Sequence, residues 1–171
     1  MYRKLLPTSQ QLNWIEGTVA AYGPWWGDFR ASLSIDDRGS DQEGEGMVFR
    51  LNDGGYYALL VTRIAKHCSF KLLKKVWPPS FSAPLFSHRE TVMIPWTGCT
   101  PEIEHDEADY KRQTTQKKIT VECKGERITI WLDDVFVAQI KDASFFEGYV
   151  GMAQFGYGHA LFRDLRVQSL P

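Results

Sequence analysis

Apolar and polar residues alternate along most of this 171-residue chain. In "DFRASLSI", Phe29, Ala31, Leu33 and Ile35 fall on one face and Arg30, Ser32 and Ser34 on the other. A period of two is that of a strand buried on one side. "GMVFRL" and "YYALLVT" follow, parted by Asn52-Asp53-Gly54-Gly55, a strong hairpin signal. "FKLLKK" predicts a further short strand. The last third reads as a meander. "KKITVECK" and "ERITIWL" meet at Lys124-Gly125, Asp133-Asp134 turns the chain into "VFVAQIK", and "GYVGMAQF" and "HALFRDLRV" complete it. Ile119, Val121, Cys123, Ile128, Ile130 and Leu132 are predicted to face inward, with Thr129 and Trp131 opposite. The same parity sets Met47, Phe49 and Leu51 against Val48 and Arg50, and Val150 and Met152 against Tyr149, Gly151, Ala153 and Phe155. No stretch keeps a helical period, though "DASFFEG" suits one short turn. "AYGPWWGDF" reads as a turn shaped by Pro24 and its glycines, and adjacent Trp25 and Trp26 cannot both point inward from a strand. Ten or so short strands with frequent turn signals predict an antiparallel β-sandwich.

Residues 76–116 break the rhythm with five prolines and two tryptophans. Proline fixes φ and removes a ladder donor, so the segment is expected to be an irregular excursion over the sandwich, with one short strand at "ETVMI". A stretch this long without regular structure is usually functional or disordered, and its aromatic content argues for order.

The order "GMVFRLNDGGYYALLV", "FKLLKK", "KKITVECKGERITIWLDDVFVAQIKD", "FFEGYVGM", "ALFRDLRV" resembles the concanavalin A-like lectin/glucanase superfamily. More narrowly it is similar to laminin-G-like jelly-roll modules, including glycosidase-associated domains and those of the 3-keto-disaccharide hydrolase type. The likeness rests on a Gly-Glu turn between two strands, an Asp (here Asp142), a G-x-V-G step and a Phe-containing last strand. It covers the last third well and residues 46–75 moderately, and residues 76–116 depart from it. It implies one all-β jelly-roll domain over 1–171 with a long irregular insertion at about 76–116, and a ligand on the concave sheet or its rim loops. The scaffold hosts lectins, glycan-binding modules, hydrolases and adhesion domains alike, so it does not by itself fix the function.

Composition narrows this. A hydrophobic content of 43% excludes a disordered chain, and 20 basic against 21 acidic residues leave no global field for nucleic acid or an anionic membrane. Three cysteines cannot all pair within one chain, so no disulfide framework is expected, and Cys123 reads as a small core residue. "MYRKLLPTSQQLNW" has no long apolar run, so neither a signal peptide nor membrane insertion is expected; the chain reads either as cytoplasmic, toward which its odd cysteine count leans, or as a module trimmed from a longer protein.

Sugar recognition needs flat aromatic faces and planar polar groups. Tyr57, Trp77, Trp96, Trp131, Tyr149 and Tyr157 supply the first, and Arg50, Arg63, Gln154, His159 and Arg163 the second. The leading expectation is a non-catalytic, lectin-like carbohydrate-binding module. A glycoside hydrolase is the first rival. It needs two carboxyls roughly 5–10 Å apart, and Glu102, Glu104, Asp106 and Glu147 are the candidate acids. A structural or protein-interaction domain is the second rival, dimerising or meeting a neighbouring domain through the 76–116 insertion. Asp142 reads as a cap for a helical turn or as a calcium ligand, the calcium being structural. The histidines and cysteines show no zinc spacing, and there is no phosphate loop or nucleophile elbow.

Overall fold

A computed structural model describes residues 10–14, 17–37, 44–64, 67–77, 89–99, 115–155 and 160–171. Within them the alternation becomes twelve strands and no helix: β1 (Gln10–Trp14), β2 (Gly17–Trp26), β3 (Phe29–Asp37), β4 (Glu45–Asn52), β5 (Gly55–Ile64), β6 (His67–Val76), β7 (Arg89–Gly98), β8 (Thr115–Lys124), β9 (Arg127–Leu132), β10 (Val135–Lys141), β11 (Gly148–Phe155) and β12 (Ala160–Ser169). They form two antiparallel sheets, one of seven strands in the order β1-β2-β11-β4-β5-β6-β7 and one of five in the order β10-β9-β8-β3-β12. This is the expected jelly-roll sandwich.

The core lies where the inward rows of the two sheets meet. Phe29, Ala31 and Leu33 of β3, Ile119, Val121 and Cys123 of β8, and Ile128 and Ile130 of β9 are fully buried against Met47, Phe49, Tyr57, Leu59, Leu72 and Val150 of the larger sheet. Each large aliphatic or aromatic side chain there contributes about 1.5–3 kcal/mol by leaving water. Burial also pushes the Cys123 thiol up to about 12. Turn chemistry agrees with the pattern. Asp133 and Asp134 both take positive φ, 48° and 65°, as the tight β9–β10 hairpin demands.

Several expectations are corrected. "AYGPWW" is strand, not turn. β2 carries its Pro24 in a bulge, where Trp26 pairs with Gly148 and Tyr22 with Val150, so no ladder donor is required of the proline. Trp26 packs on the core while Trp25 meets Tyr149 edge-on at 5.1 Å, so the two indoles do part. Within 76–116, residues 89–98 are a full edge strand with Pro95 inside it. Residues 78–88 and 100–114 lie outside the described residues. Asp142 to Glu147 form no helical turn. The cysteine expectation also fails, since Cys68 and Cys99 form a disulfide. Register brings them together, because Ser69 pairs with Gly98 across β6 and β7 and sets the next residues on each strand side by side.

Two bulges matter more than any strand boundary. In β4, Phe49 pairs with Tyr57 and Asn52 with Gly55, so Arg50 and Leu51 share the span of one partner residue. Arg50 takes φ 50°, and the parity after it is reversed. Leu51 therefore joins Val48 on the outer side, and Arg50 turns inward. In β12, Arg163 pairs with Ser34 and Arg166 with Ser32, so Asp164 and Leu165 oppose Leu33 alone. Asp164 absorbs that extra residue at φ 54°.

Candidate functional site

Two of the expected ligand residues, Tyr57 and Arg50, are interior. Tyr57 is fully buried, stacks on Phe49 at 5.4 Å and donates its hydroxyl hydrogen to Asp142. Burial, with the Asp142 charge, pushes its hydroxyl well above the usual tyrosine range. Asp142 also accepts from Lys74 Nζ at 2.7 Å and from the Ser144 amide at 2.9 Å. Burial pulls the Asp142 carboxyl up, but these hydrogen bonds outweigh it and hold the group well below the usual carboxylate range. Its oxygens are thus already engaged by an ammonium, a hydroxyl and an amide. Arg50 is fully buried too. Its Nη1 donates to the Phe145 carbonyl at 2.9 Å and its Nη2 lies 3.7 Å from Asp28. Asp28 in turn accepts from the Gly125 amide at 2.8 Å, so Arg50 ties β4 to the β10–β11 connection and the β8–β9 hairpin. Arg50, Tyr57 and Asp142 form a structural clasp around Phe145, in which Arg50 and Tyr57 are fully buried and Asp142 is half-buried.

The outer face of the seven-stranded sheet is apolar and largely closed. Val48, Ala58, Leu60 and Ala153 are almost wholly buried in a second cluster, flanked by Tyr149 and Trp77. Trp77 donates its indole N–H to the Asn52 carbonyl at 2.9 Å and packs on Tyr56 at 5.4 Å. Gly151 serves the backbone, since a Cβ there would fall 2.2 Å from the Ala20 carbonyl oxygen. Toward the β7 edge, Trp96 is 38% exposed with Lys71 Nζ 5.6 Å over its ring, and Lys75 pairs with Glu90 at 3.2 Å.

The outer face of the five-stranded sheet is polar and open. Arg30 lies 4.5 Å over the Trp131 ring, and Trp131 pairs across the strands with Thr120. Thr120 pairs with Ser32, and Ser32 with Arg166. These small central hydroxyls, ringed by longer side chains, leave a depression of about 210 Å³ bordered by Arg30, Lys118, Asp134, Arg166 and Gln168. Thr120 is 2% exposed, and its hydroxyl oxygen is buried without a hydrogen-bond partner. Arg30 makes a long contact of 3.4 Å with Glu122, and Lys118 binds Asp134 at 2.8 Å. Asp134 is the one carboxylate of the lining, and it is already paired. Such a surface can stack a flat group beside Trp131 and donate hydrogen bonds from guanidinium and hydroxyl groups. It does not set two free carboxyls across a bond.

The expected site residues therefore do not converge. Trp131 and Arg163 belong to the five-stranded sheet, Tyr149 and Trp96 to the outer face of the other, and Arg50 and Tyr57 to the interior. Gln154 is half-buried in β11, paired with Glu45 and Thr18. Glu147 is exposed, and its carbonyl accepts from Asn52 at 2.8 Å. Glu102, Glu104, Asp106, Tyr157 and His159, and the side chain of Arg63, lie outside the described residues. Sequence reasoning missed Ser32, Lys118, Thr120 and Arg166. Ser32, Lys118 and Thr120 sit on outward rows that parity shows, Arg166 reaches its row only through the bulge at Asp164, and only the β12-β3-β8 register places them side by side.

No family model matches the chain, and no curated protein matches its sequence. Solved structures do match its shape. A carbohydrate-binding module, CBM66 from Bacillus subtilis, is similar at TM-score 0.63 and 17% identity, over 95% of this chain and 92% of that one. A putative glycosyl hydrolase from Parabacteroides distasonis gives 0.56 and 11%, over 95% and 90%. A functionally unknown protein from Saccharomyces cerevisiae gives 0.52 and 10%, over 96% and 94%. At such identities the likeness concerns architecture, and in architecture the chain is a concanavalin A-like jelly roll.

Proposed function

We propose that this chain is a non-catalytic carbohydrate-binding module whose ligand lies on the outer face of the five-stranded sheet, beside Trp131. The observation that carries this reading is the Arg30–Trp131 stack at the border of a hydroxyl-floored depression. An indole held flat by a guanidinium offers an apolar plane for sugar C–H groups, and the neighbouring donors can engage hydroxyls. The opposite sheet face carries a buried apolar cluster, with Val48, Ala58, Leu60 and Ala153 almost wholly out of solvent. A module from Bacillus subtilis with the same architecture binds carbohydrate by its name, which supports the reading. Catalysis is not favoured by the depression, whose one lining carboxylate is engaged by Lys118.

Affinity electrophoresis through gels cast with a panel of soluble polysaccharides tests the proposal. Retardation in at least one gel, lost in Trp131→Ala while the thermal melt is kept, is the expected result. Free migration of the wild type through every gel would sink it.

A further inference from the structure

The depression is richer in cations than neutral sugar recognition requires. Three of its bordering side chains, Arg30, Lys118 and Arg166, are cationic, against the single carboxylate of Asp134. Lys118 holds Asp134, and the sole ion pair of Arg30 among the described residues is the 3.4 Å contact with Glu122, beside its stack on Trp131. Among the described residues Arg166 has no ion pair. Its position is itself the product of a local distortion. Residues 163 and 166 are three apart and would face opposite sides of a regular strand. The bulge at Asp164 places both arginines opposite outward serines, Ser34 and Ser32. The second observation is Thr120, whose buried hydroxyl has no partner at the centre of this basic ring. An unpartnered buried hydroxyl is costly in the empty state and becomes satisfied when an acceptor arrives.

Resting on the carbohydrate-binding reading, we infer that the depression selects an acidic saccharide, its carboxylate or sulfate group seated between Arg166 and Lys118 with the Thr120 hydroxyl donating to it. Both groups present the same chemistry, a sugar-borne oxyanion whose charge-assisted hydrogen bonds to guanidinium are about twice as strong as neutral ones. The volume suits one acidic group and part of its ring rather than a long chain.

The test measures affinity for polygalacturonate, a sulfated galactan, and neutral mannan and β-glucan at two salt concentrations. Variants are Arg166→Ala, Arg166→Lys and Thr120→Val, each with a thermal melt. One or both acidic polymers should bind in preference to the neutral ones, and which of the two binds identifies the oxyanion. Arg166→Ala should weaken that binding tenfold or more, with partial rescue in Arg166→Lys. Thr120→Val should weaken acidic binding while its melting temperature holds or rises, which a merely structural threonine would not do. Equal or tighter binding of neutral polymers, or acidic binding indifferent to Arg166→Ala, overturns the inference and leaves the module reading standing. Failure to bind any polymer overturns both.

Discussion

Reduction of the Cys68–Cys99 bond should be the most destabilising single chemical change short of damaging the core. The bond closes a loop with a sequence separation of 31. For that loop the chain-entropy relation gives an entropy near 12 cal/mol/K, or ~3.7 kcal/mol at room temperature. In a domain of this size, 1 kcal/mol corresponds to ~2–4 °C of melting temperature, so reduction should lower it by roughly 7–15 °C. The loss should also be local at first. β7 is an edge strand whose pairing with β6 shifts register near Leu72, and the Cys99 amide bonds the Cys68 carbonyl at 2.8 Å beside the bridge. Urea melts of the wild type with and without reductant measure the whole effect, and amide exchange along 89–98 measures the local one. Thiol counting completes the assay. Denatured, unreduced protein should show a single reactive thiol, Cys123, which stays hidden in the fold. Three thiols, or a urea midpoint unmoved by reductant, would refute the reasoning.

Two further outcomes follow from the clasp and the bulge. Asp142→Asn should cost about 3 kcal/mol near neutral pH, because it leaves the partly buried Lys74 ammonium without its carboxylate. The folded Asp142 carboxyl titrates below its unfolded value, so its contribution is complete above about pH 4 and drains away as the pH falls further. Urea midpoints of wild type and variant should therefore draw together as the pH falls from 7 to 2; parallel curves would contradict the assignment. Asp164→Gly should keep stability within about 1 kcal/mol of wild type, whereas Asp164→Val, β-branched at positive φ, should lose roughly 1–3 kcal/mol. Equal melts for both would show that the left-handed residue carries no strain.

Much of the fold was legible because its strands are buried on one side and keep the period of two. β3, β8 and β9 lie where alternation puts them, with Leu33, Ile119 and Ile130 inward and Trp131 outward. What alternation cannot show is a change of phase. Arg50 at φ 50° reverses the parity of β4 and sends a predicted surface arginine into the core. Asp164 does the reverse service in β12, bringing Arg166 to the surface row. Neither residue is a glycine, so composition gave no warning of a left-handed position. Pro24 hid β2 for a related reason, since a proline within a bulge does not break a strand. The candidate site was less legible than the fold. Its members come from β12, β3, β8 and β9, and the adjacency of β3 with β8 and β12 depends on pairings across about a hundred residues rather than on any local motif.

The place of β11 has a consequence for how the chain reaches this state. β11 lies between β2 and β4 in the seven-stranded sheet, with Ala153 paired to Val19 on one side and Gly46 on the other. Until it arrives, two strands made much earlier present unpaired, apolar edges to each other and to any neighbour. The β8–β9–β10 meander, by contrast, closes through tight local turns and can form early. Folding is therefore expected to finish rather than begin in the larger sheet, with β11 as its closing strand. During synthesis the exposed edges of β2 and β4 are the natural sites of misassembly.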